Sequence, residues 1–257
     1  MSSINSIGAA GSSYLYESLS SGSRINRAAD GAAELAISQE FDRQTNGYDV
    51  GARNMSDAVK ATNIADGALS TITDSLQRIR ELGVKASNGL MSDDDKKYIQ
   101  AEIDQLKKGI ADTADRANYN GIPLLDNEDG KVLLISSDAN GNMRPMSTVN
   151  GTLDALGIED FDVTGDFDLN AIDNALKSLN AGRSTLGAQT NGFEHAINSN
   201  KVASYNLTAS KSAMMDTDYA EYVGKLKQQN LLEEVQARLQ KKRQEDDAKK
   251  TLGIIGN

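Results

Sequence analysis

The sequence predicts a mainly α protein, an elongated antiparallel coiled-coil bundle of helices with a small β-hairpin region. Three observations support this: a heptad pattern across residues 31–88, the lack of proline before Pro123, and a second proline-free helical pattern from Leu169 onward. If residues 31–88 form one helix, that helix is about 87 Å long. A compact domain of 257 residues has no interior of that length. The predicted shape is therefore typical of a structural or adaptor protein more often than of an enzyme.

The first predicted helix carries two interleaved rows of residues, each with a spacing of seven. One row is Phe41, Tyr48, Met55, Thr62, Leu69, Leu76 and Gly83, and the other is Ile37, Gln44, Gly51, Ala58, Ala65, Ile72, Ile79 and Ala86. The resulting steps of four and three are the a/d pattern of a coiled coil. Because many of these positions are Ala, Gly or Thr, we expect close helix packing in which each layer buries little surface.

A second helix should follow after a short loop. Asn88-Gly89 ends the first helix, and Ser92 before Asp93-Asp94-Asp95 is typical of an N-cap with acids in the first turn. Its apolar face again repeats in steps of four and three: Ile99, Ile103, Leu106, Ile110, Thr113 and Ala117. Since only a few residues separate the two helices, we expect them to form an antiparallel hairpin.

The middle of the chain changes from helical to strand patterns. Asn120-Gly121-Ile122-Pro123 breaks the helix, and residues 131–137 and 143–149 predict two strands joined by a turn at residues 138–142. Residues 150–168 are predicted to be a loop with turns. From Leu169 a helical pattern returns and continues without proline to the end, and it is expected to pack along both earlier helices.

Composition excludes several classes of function. The net charge of −10 argues against nucleic acid or an anionic membrane as the main partner, and the lack of Cys excludes thiol chemistry. His195 is the only histidine and cannot build a metal cage alone, and Asp93-Asp94-Asp95 fits helix capping better than cation binding. No nucleophile motif or phosphate loop is present. We therefore predict no enzyme activity, no catalytic or metal residues and no cofactor.

The beginning of the chain lacks the features of a secretion signal. Residues 1–13 have neither a basic start nor an apolar run, and no stretch approaches the length of a membrane span. If the protein leaves the cell, we expect a dedicated export machine to carry it.

Six sequence fragments resemble bacterial flagellin, and they occur in the order found in that family. They are Leu19-Ser20-Ser21-Gly22-Ser23-Arg24-Ile25-Asn26 with Ala29-Asp30-Gly31-Ala32-Ala33; Leu76-Gln77-Arg78-Ile79-Arg80-Glu81-Leu82; Ile99-Gln100-Ala101-Glu102-Ile103; Tyr119-Asn120-Gly121 with Leu124-Leu125; Arg183-Ser184-Thr185-Leu186-Gly187-Ala188 leading to Asn191-Gly192-Phe193-Glu194-His195; and Asn206-Leu207-Thr208-Ala209 with Asp216-Thr217-Asp218-Tyr219-Ala220. Together they cover roughly residues 19–220.

The resemblance implies a domain organisation. Residues 1–30 and 205–257 would be terminal helical segments of the filament inner core, and residues 31–125 with 169–204 would be a helical rod domain. Residues 126–168 would be a β-hairpin and loop region that replaces the family's large variable outer domain. Both ends depart from the family pattern: Ile4-Asn5 lies about two heptads closer to Leu19 than usual, and residues 241–250 are charged except for Gln244 and Ala248.

The resemblance also implies a function, partners and site residues. The chain would be exported by the flagellar type III apparatus without a cleaved signal peptide and would polymerise with itself into the extracellular motility filament. Further partners would be a secretion chaperone, the filament cap and the hook-filament junction proteins. The surface read by Toll-like receptor 5, which also contacts neighbouring subunits, would include Arg78, Glu81, Leu82 and Glu102. Lys85, on the same helix face and where the family often has Gln, is assigned to this interface with them.

The spacing of residues along the first helix adds an expectation about which side chains of that surface are exposed, and alternative interpretations of the surface and of the function stay open. Arg78, Leu82 and Lys85 lie roughly opposite the seam of Leu76, Ile79 and Gly83, so Leu82 is expected to be an exposed apolar residue. A solvated helix face with pairs such as Arg78 and Glu81 is the plainer interpretation. A hook-filament junction or other coiled-coil adaptor protein, or a flagellin with a catalytic insert, are the alternative functions.

Overall fold

The computed structural model describes residues 13–126 and 132–255, and side chains are described to residue 249. It is 71% helical, against about a third in average soluble domains, so the predicted mainly α class is confirmed. The described elements are α1 (13–21), α2 (Ala32–Ala86), α3 (Asp93–Arg116), β1 (Asn118–Tyr119), β2 (Ile122–Pro123), β3 (Val132–Ser136), β4 (Met143–Ser147), α4 (Asn170–Met215) and α5 (Tyr219–Ile255).

The chain forms two compact units, one of Gln44–Tyr205 and one of the residues before and after it. The first unit holds most of α2, all of α3 and both β-ladders, and most of α4. The second unit holds α1, the start of α2, the end of α4, and α5.

Helix α2 confirms the predicted heptad seam within the Gln44–Tyr205 unit. Both rows are buried there from residue 51 to residue 86, and Met55, Leu69, Ile72, Leu76 and Ile79 have no exposed surface. Towards its start the seam opens, and Ile37 is 46% exposed.

Helix α3 begins as the sequence predicts. The Ser92 hydroxyl accepts a hydrogen bond from the Asp95 backbone N–H, and the Asp95 carboxylate accepts one from the Ser92 backbone N–H, which completes a capping box. Its apolar side chains Ile99, Ile103 and Ile110 are buried. An ion pair joins Arg78, late in α2, to Glu102, early in α3, as the predicted antiparallel hairpin requires.

Two antiparallel strand pairs follow α3. The pair β1 and β2 encloses a tight turn at Asn120 and Gly121, whose φ angles are +52° and +78°, and the sequence pattern predicted only a helix break there. The pair β3 and β4 confirms the predicted hairpin, with Val132 opposite Ser147 and Ser136 opposite Met143. The carboxylate of Asp138 holds its turn by accepting hydrogen bonds from the backbone N–H groups of Asn140 and Asn142.

The segment between α3 and α4 approaches the helix backbones at glycines. A Cβ on Gly51 would lie 2.4 Å from the Ser137 carbonyl oxygen, and one on Gly182 would lie 2.7 Å from a Val149 methyl carbon. Asn200 of α4 donates a 2.6 Å hydrogen bond to the same Ser137 oxygen. This segment therefore packs directly against helix backbone at Gly51 and Gly182, which explains why these two positions are glycine despite its low helix propensity.

The helical pattern predicted from Leu169 is confirmed, and the structure divides it into two helices, since α4 ends at Met215 and α5 starts at Tyr219. Asp218 caps α5: its carboxylate accepts hydrogen bonds from the backbone N–H groups of Ala220 and Glu221. Thr217 in the break donates its backbone N–H to the Gly22 carbonyl and its hydroxyl to the Ser18 carbonyl. These two bonds hold the break against the last turn of α1 and the residue that follows it.

Candidate interaction surface

The five residues assigned by resemblance lie together on α2 and α3. We call them the α2–α3 patch: Arg78, Glu81, Leu82, Lys85 and Glu102. All five line one shallow cavity of 420 Å³, together with Met91, Asp95, Tyr98 and Ile99. The short loop after α2 turns α3 back along it, and this places a residue 24 positions later in the sequence beside Arg78.

Arg78 organises the charges of the patch. Its Nε and Nη2 atoms donate hydrogen bonds of 2.9 and 2.8 Å to Glu102 Oε1, and Nη1 donates one of 3.1 Å to Glu81 Oε2. The bonds to Glu102 and then Glu81 raise the pKa of Arg78 above its ordinary value. About half of the Arg78 side chain stays exposed, so this arrangement presents a guanidinium between two carboxylates to a partner.

The expected exposure of Leu82 is wrong, because the structure leaves it only 3% exposed. The heptad pattern describes one seam, but α2 is covered on a second face by α3. Leu82 joins Ile99 and Ile103 in the buried cluster. It therefore supports the patch from beneath, and the exposed apolar surface beside Arg78 comes from Tyr98, which is 77% exposed.

Sequence reasoning missed Met91, Tyr98 and Ile99 as walls of this cavity. The available signal was the length of the loop. Once α2 and α3 are joined by only a few residues, the first two turns of α3 must lie beside the last two turns of α2. Lys85 lies close enough to Asp95 to help lower the pKa of that carboxyl, although the hydrogen bond from the Ser92 hydroxyl lowers it most.

The other sequence candidates stand apart from the patch or have a capping role. His195 is exposed on α4, and Asp93 to Asp95 form the first turn of α3, where Asp94 pairs with Lys97. Among residues 13–126 and 132–255, no three His, Asp or Glu side chains are grouped so as to hold a metal ion. Across that same part of the chain, no helix has the length and apolar character needed to cross a bilayer.

Long helices that pack along shared apolar seams are typical of a structural or adaptor protein. Comparison with family models is consistent with this class. The bacterial flagellin N-terminal helical region matches residues 1–129, and the bacterial flagellin C-terminal helical region matches residues 169–246.

Individual relatives agree with the family models. The flagellin of Halalkalibacterium halodurans is 35% identical over 90% of this chain and 88% of its own length. A flagellar filament 30.7 kDa core protein of Treponema maltophilum is 34% identical over 79% of this chain and 78% of its own. The crystal structure of Bacillus cereus flagellin is 29% identical and aligns with a TM-score of 0.51 over 58% of this chain and 88% of that one.

The chain belongs to the bacterial flagellin family. Flagellins are structural subunits that polymerise with themselves into the extracellular flagellar filament, so this chain is a filament subunit and not an enzyme. A putative flagellar hook-associated protein of Vibrio parahaemolyticus aligns with a TM-score of 0.61 at 13% identity, which shows a shared fold alone.

Proposed function

We propose that this subunit is secreted through the flagellar type III apparatus, with the help of a chaperone, and assembles beneath the filament cap into a filament for motility. The filament would join the hook through junction proteins. The observation that carries the assembly role is the membership of two separate helical regions in the flagellin family. The helical rod would comprise residues 31–125 and 169–204, with residues 126–168 as its hairpin region.

The terminal segments, residues 1–30 and 205–257, are proposed to form the inner core of the filament. Helix α5 supports this role, because four of its large apolar side chains are between 45% and 60% exposed: Leu231, Leu232, Val235 and Leu239. Side chains of this kind gain free energy when neighbouring subunits cover them.

The test of the assembly role is seeded polymerisation of the purified chain. We expect short filament fragments to elongate into helical filaments that are visible by electron microscopy. If the purified chain stayed monomeric in the presence of filament seeds at every protein concentration tested, the proposal would be contradicted.

We further propose that the α2–α3 patch is a binding surface for Toll-like receptor 5. Arg78 and Glu102 support this, since their paired charges are about half exposed and fixed between two helices. A fixed guanidinium with carboxylate neighbours can exchange its hydrogen bonds with a partner without reordering its own side chain. The buried Leu82 would hold the two helices in the spacing that the charged side chains need.

Receptor binding and receptor activation are expected to separate in this protein. Residues 241–250 are nearly all charged, in a region that contributes to signalling in the family, whereas the patch itself lies elsewhere on α2 and α3. We expect measurable binding of the receptor ectodomain with weak activation of receptor-expressing cells. Arg78→Ala should weaken binding, and the exposed Lys60→Ala, whose partner Asp57 lies on another part of α2, should not.

Replacing the terminal segments tests the separation of receptor binding from receptor activation further. Placing standard family termini on residues 19–220 should restore signalling without a matching gain in affinity. Strong activation by the unmodified chain, or equal binding by the Arg78→Ala and Lys60→Ala variants, would contradict the proposal.

A further inference from the structure

An apolar cleft lies beyond the end of α3, between α2 and the two hairpins that follow α3. It has a volume of 300 Å³, the space of about ten water molecules. Apart from Asn54 and Asp57 its walls are aliphatic or aromatic, and they include Ala58, Ala61, Tyr119, Ile122, Leu134 and Met146. The amide of Asn54 already donates to the Ser136 carbonyl, and Asp57 pairs with Lys60. The polar groups at the cleft therefore have partners, and its open surface is available to an apolar side chain.

A matching protrusion lies at the opposite end of α3. Leu90, in the loop that leads from α2 into α3, is 93% exposed, more than any other large hydrophobic residue of the described part of the chain. Asn88 fixes this loop: its side-chain oxygen accepts a hydrogen bond from the Leu90 backbone N–H, and its backbone carbonyl accepts one from Met91. The apolar side chain is thus held out from the surface by a defined turn.

The two features are separated by the length of α3. Its 24 residues span about 36 Å, and Leu90 precedes this helix while Tyr119 and Ile122 follow it. Both lie in the Gln44–Tyr205 unit. A neighbouring copy that lies alongside the chain and is displaced by about this length would bring its Leu90 to the cleft. A head-to-tail contact of this kind uses two different surfaces, and a contact whose rotation does not close into a ring repeats into an open filament.

We propose that Leu90 of one subunit inserts into the cleft between α2 and the two hairpins of the next subunit along the filament. The inference rests on the proposed assembly role and names a contact for it. It concerns a surface separate from the α2–α3 patch, since Leu90 does not line the patch cavity. We choose a second copy as the occupant because the same chain carries both the protrusion and the cleft, and because it belongs to a family that polymerises with itself.

Cross-linking tests this contact, because the chain contains no cysteine. Leu90→Cys combined with Leu134→Cys places one thiol on the protrusion and one at the cleft, where Leu134 is 64% exposed. After seeded assembly and mild oxidation, we expect a ladder of covalent multimers on a non-reducing gel. A mixture of the two single variants should give dimers only, as a head-to-tail contact requires.

The matched control joins Leu90→Cys with Val202→Cys, which is 60% exposed on α4 in the same unit. It should give no ladder. Three outcomes would overturn the contact while leaving the assembly role intact. They are filaments of the Leu90/Leu134 double variant that form no cross-links, ladders of equal intensity from the control pair, and dimers as the largest product of the double variant. If the unmodified chain, which has no cysteine, formed no filaments, both the contact and the assembly role would be overturned.

A second variant pair tests the energy of the contact. Leu90→Asp should raise the critical concentration for elongation by roughly tenfold or more, since it removes one buried leucine per subunit. Leu90→Met, which keeps an apolar side chain of similar size, should stay near the unmodified chain. Circular dichroism melts should agree for all three proteins, because Leu90 is exposed in the monomer. Equal critical concentrations for the Asp and Met variants would contradict the insertion.

Discussion

Leu76→Asp is expected to lower the free energy of unfolding by about 4 kcal/mol or more. Leu76 has no exposed surface and belongs to one buried cluster with Ile103 of α3 and Ile172 of α4. The substitution removes the packing of a leucine and buries a carboxylate, and among the described residues no Lys or Arg is buried to pair with it. Urea unfolding followed by circular dichroism measures the change.

The control for this prediction is two residues away on the same helix. Arg78 points out of the seam, with about half of its side chain exposed, and its ion pairs with Glu81 and Glu102 lie at the surface. Arg78→Ala should therefore leave the unfolding midpoint nearly unchanged, since exposed ion pairs contribute little to stability. If both variants unfolded at the same urea concentration, the assigned phase of α2 would be wrong.

Gly51→Ala should destabilise the protein, although alanine is the better helix former. The added methyl group would lie 2.4 Å from the Ser137 carbonyl oxygen and 2.9 Å from the Asn200 side-chain nitrogen. The hairpin backbone would have to move, and the hydrogen bond between those two atoms would be disturbed. Overpacking of this kind costs about 1–3 kcal/mol, against a gain of about 1 kcal/mol from helix propensity.

Gly67→Ala on the same helix is the matched control and should change stability in the opposite direction. Gly67 is exposed, and a Cβ there would meet nothing within 4 Å. Only the helix propensity term remains, which predicts stabilisation by about 1 kcal/mol. Hydrogen exchange of the amides in β3 and β4 should speed up in the Gly51 variant and not in the Gly67 variant. Equal stabilisation by both substitutions would contradict the close approach of the hairpin.

The parts of the fold that were predictable from sequence depend on local patterns. The heptad rows indicated Leu69 and Leu76 as buried, Ser92 indicated the start of α3, and the Asp138 turn indicated the hairpin; the structure confirms each. These signals could be read directly because periodicity, capping and turn chemistry act within a few residues.

The features that were missed depend on contacts between distant residues. Leu82 is buried by α3, and a heptad pattern that describes a single seam cannot show a second covered face. The break before α5 is fixed by bonds from Thr217 to Gly22 and Ser18, which no local window contains. The close approach at Gly51 is of the same kind, since a glycine in a helix does not reveal which chain segment lies against it.

The bonds between residues 19–24 and residues 214–219 also affect the order in which parts of the molecule can fold. Arg24 binds the Met214 carbonyl across 190 residues, and the Tyr219 hydroxyl binds the Leu19 carbonyl across 200. Closing loops of this length costs conformational entropy before any contact is gained, and contacts between such distant residues slow folding. The α2–α3 hairpin needs only neighbouring sequence, whereas the terminal unit must wait for residue 219. In a chain that emerges with its amino end first, the contacts between residues 19–24 and residues 214–219 therefore form last.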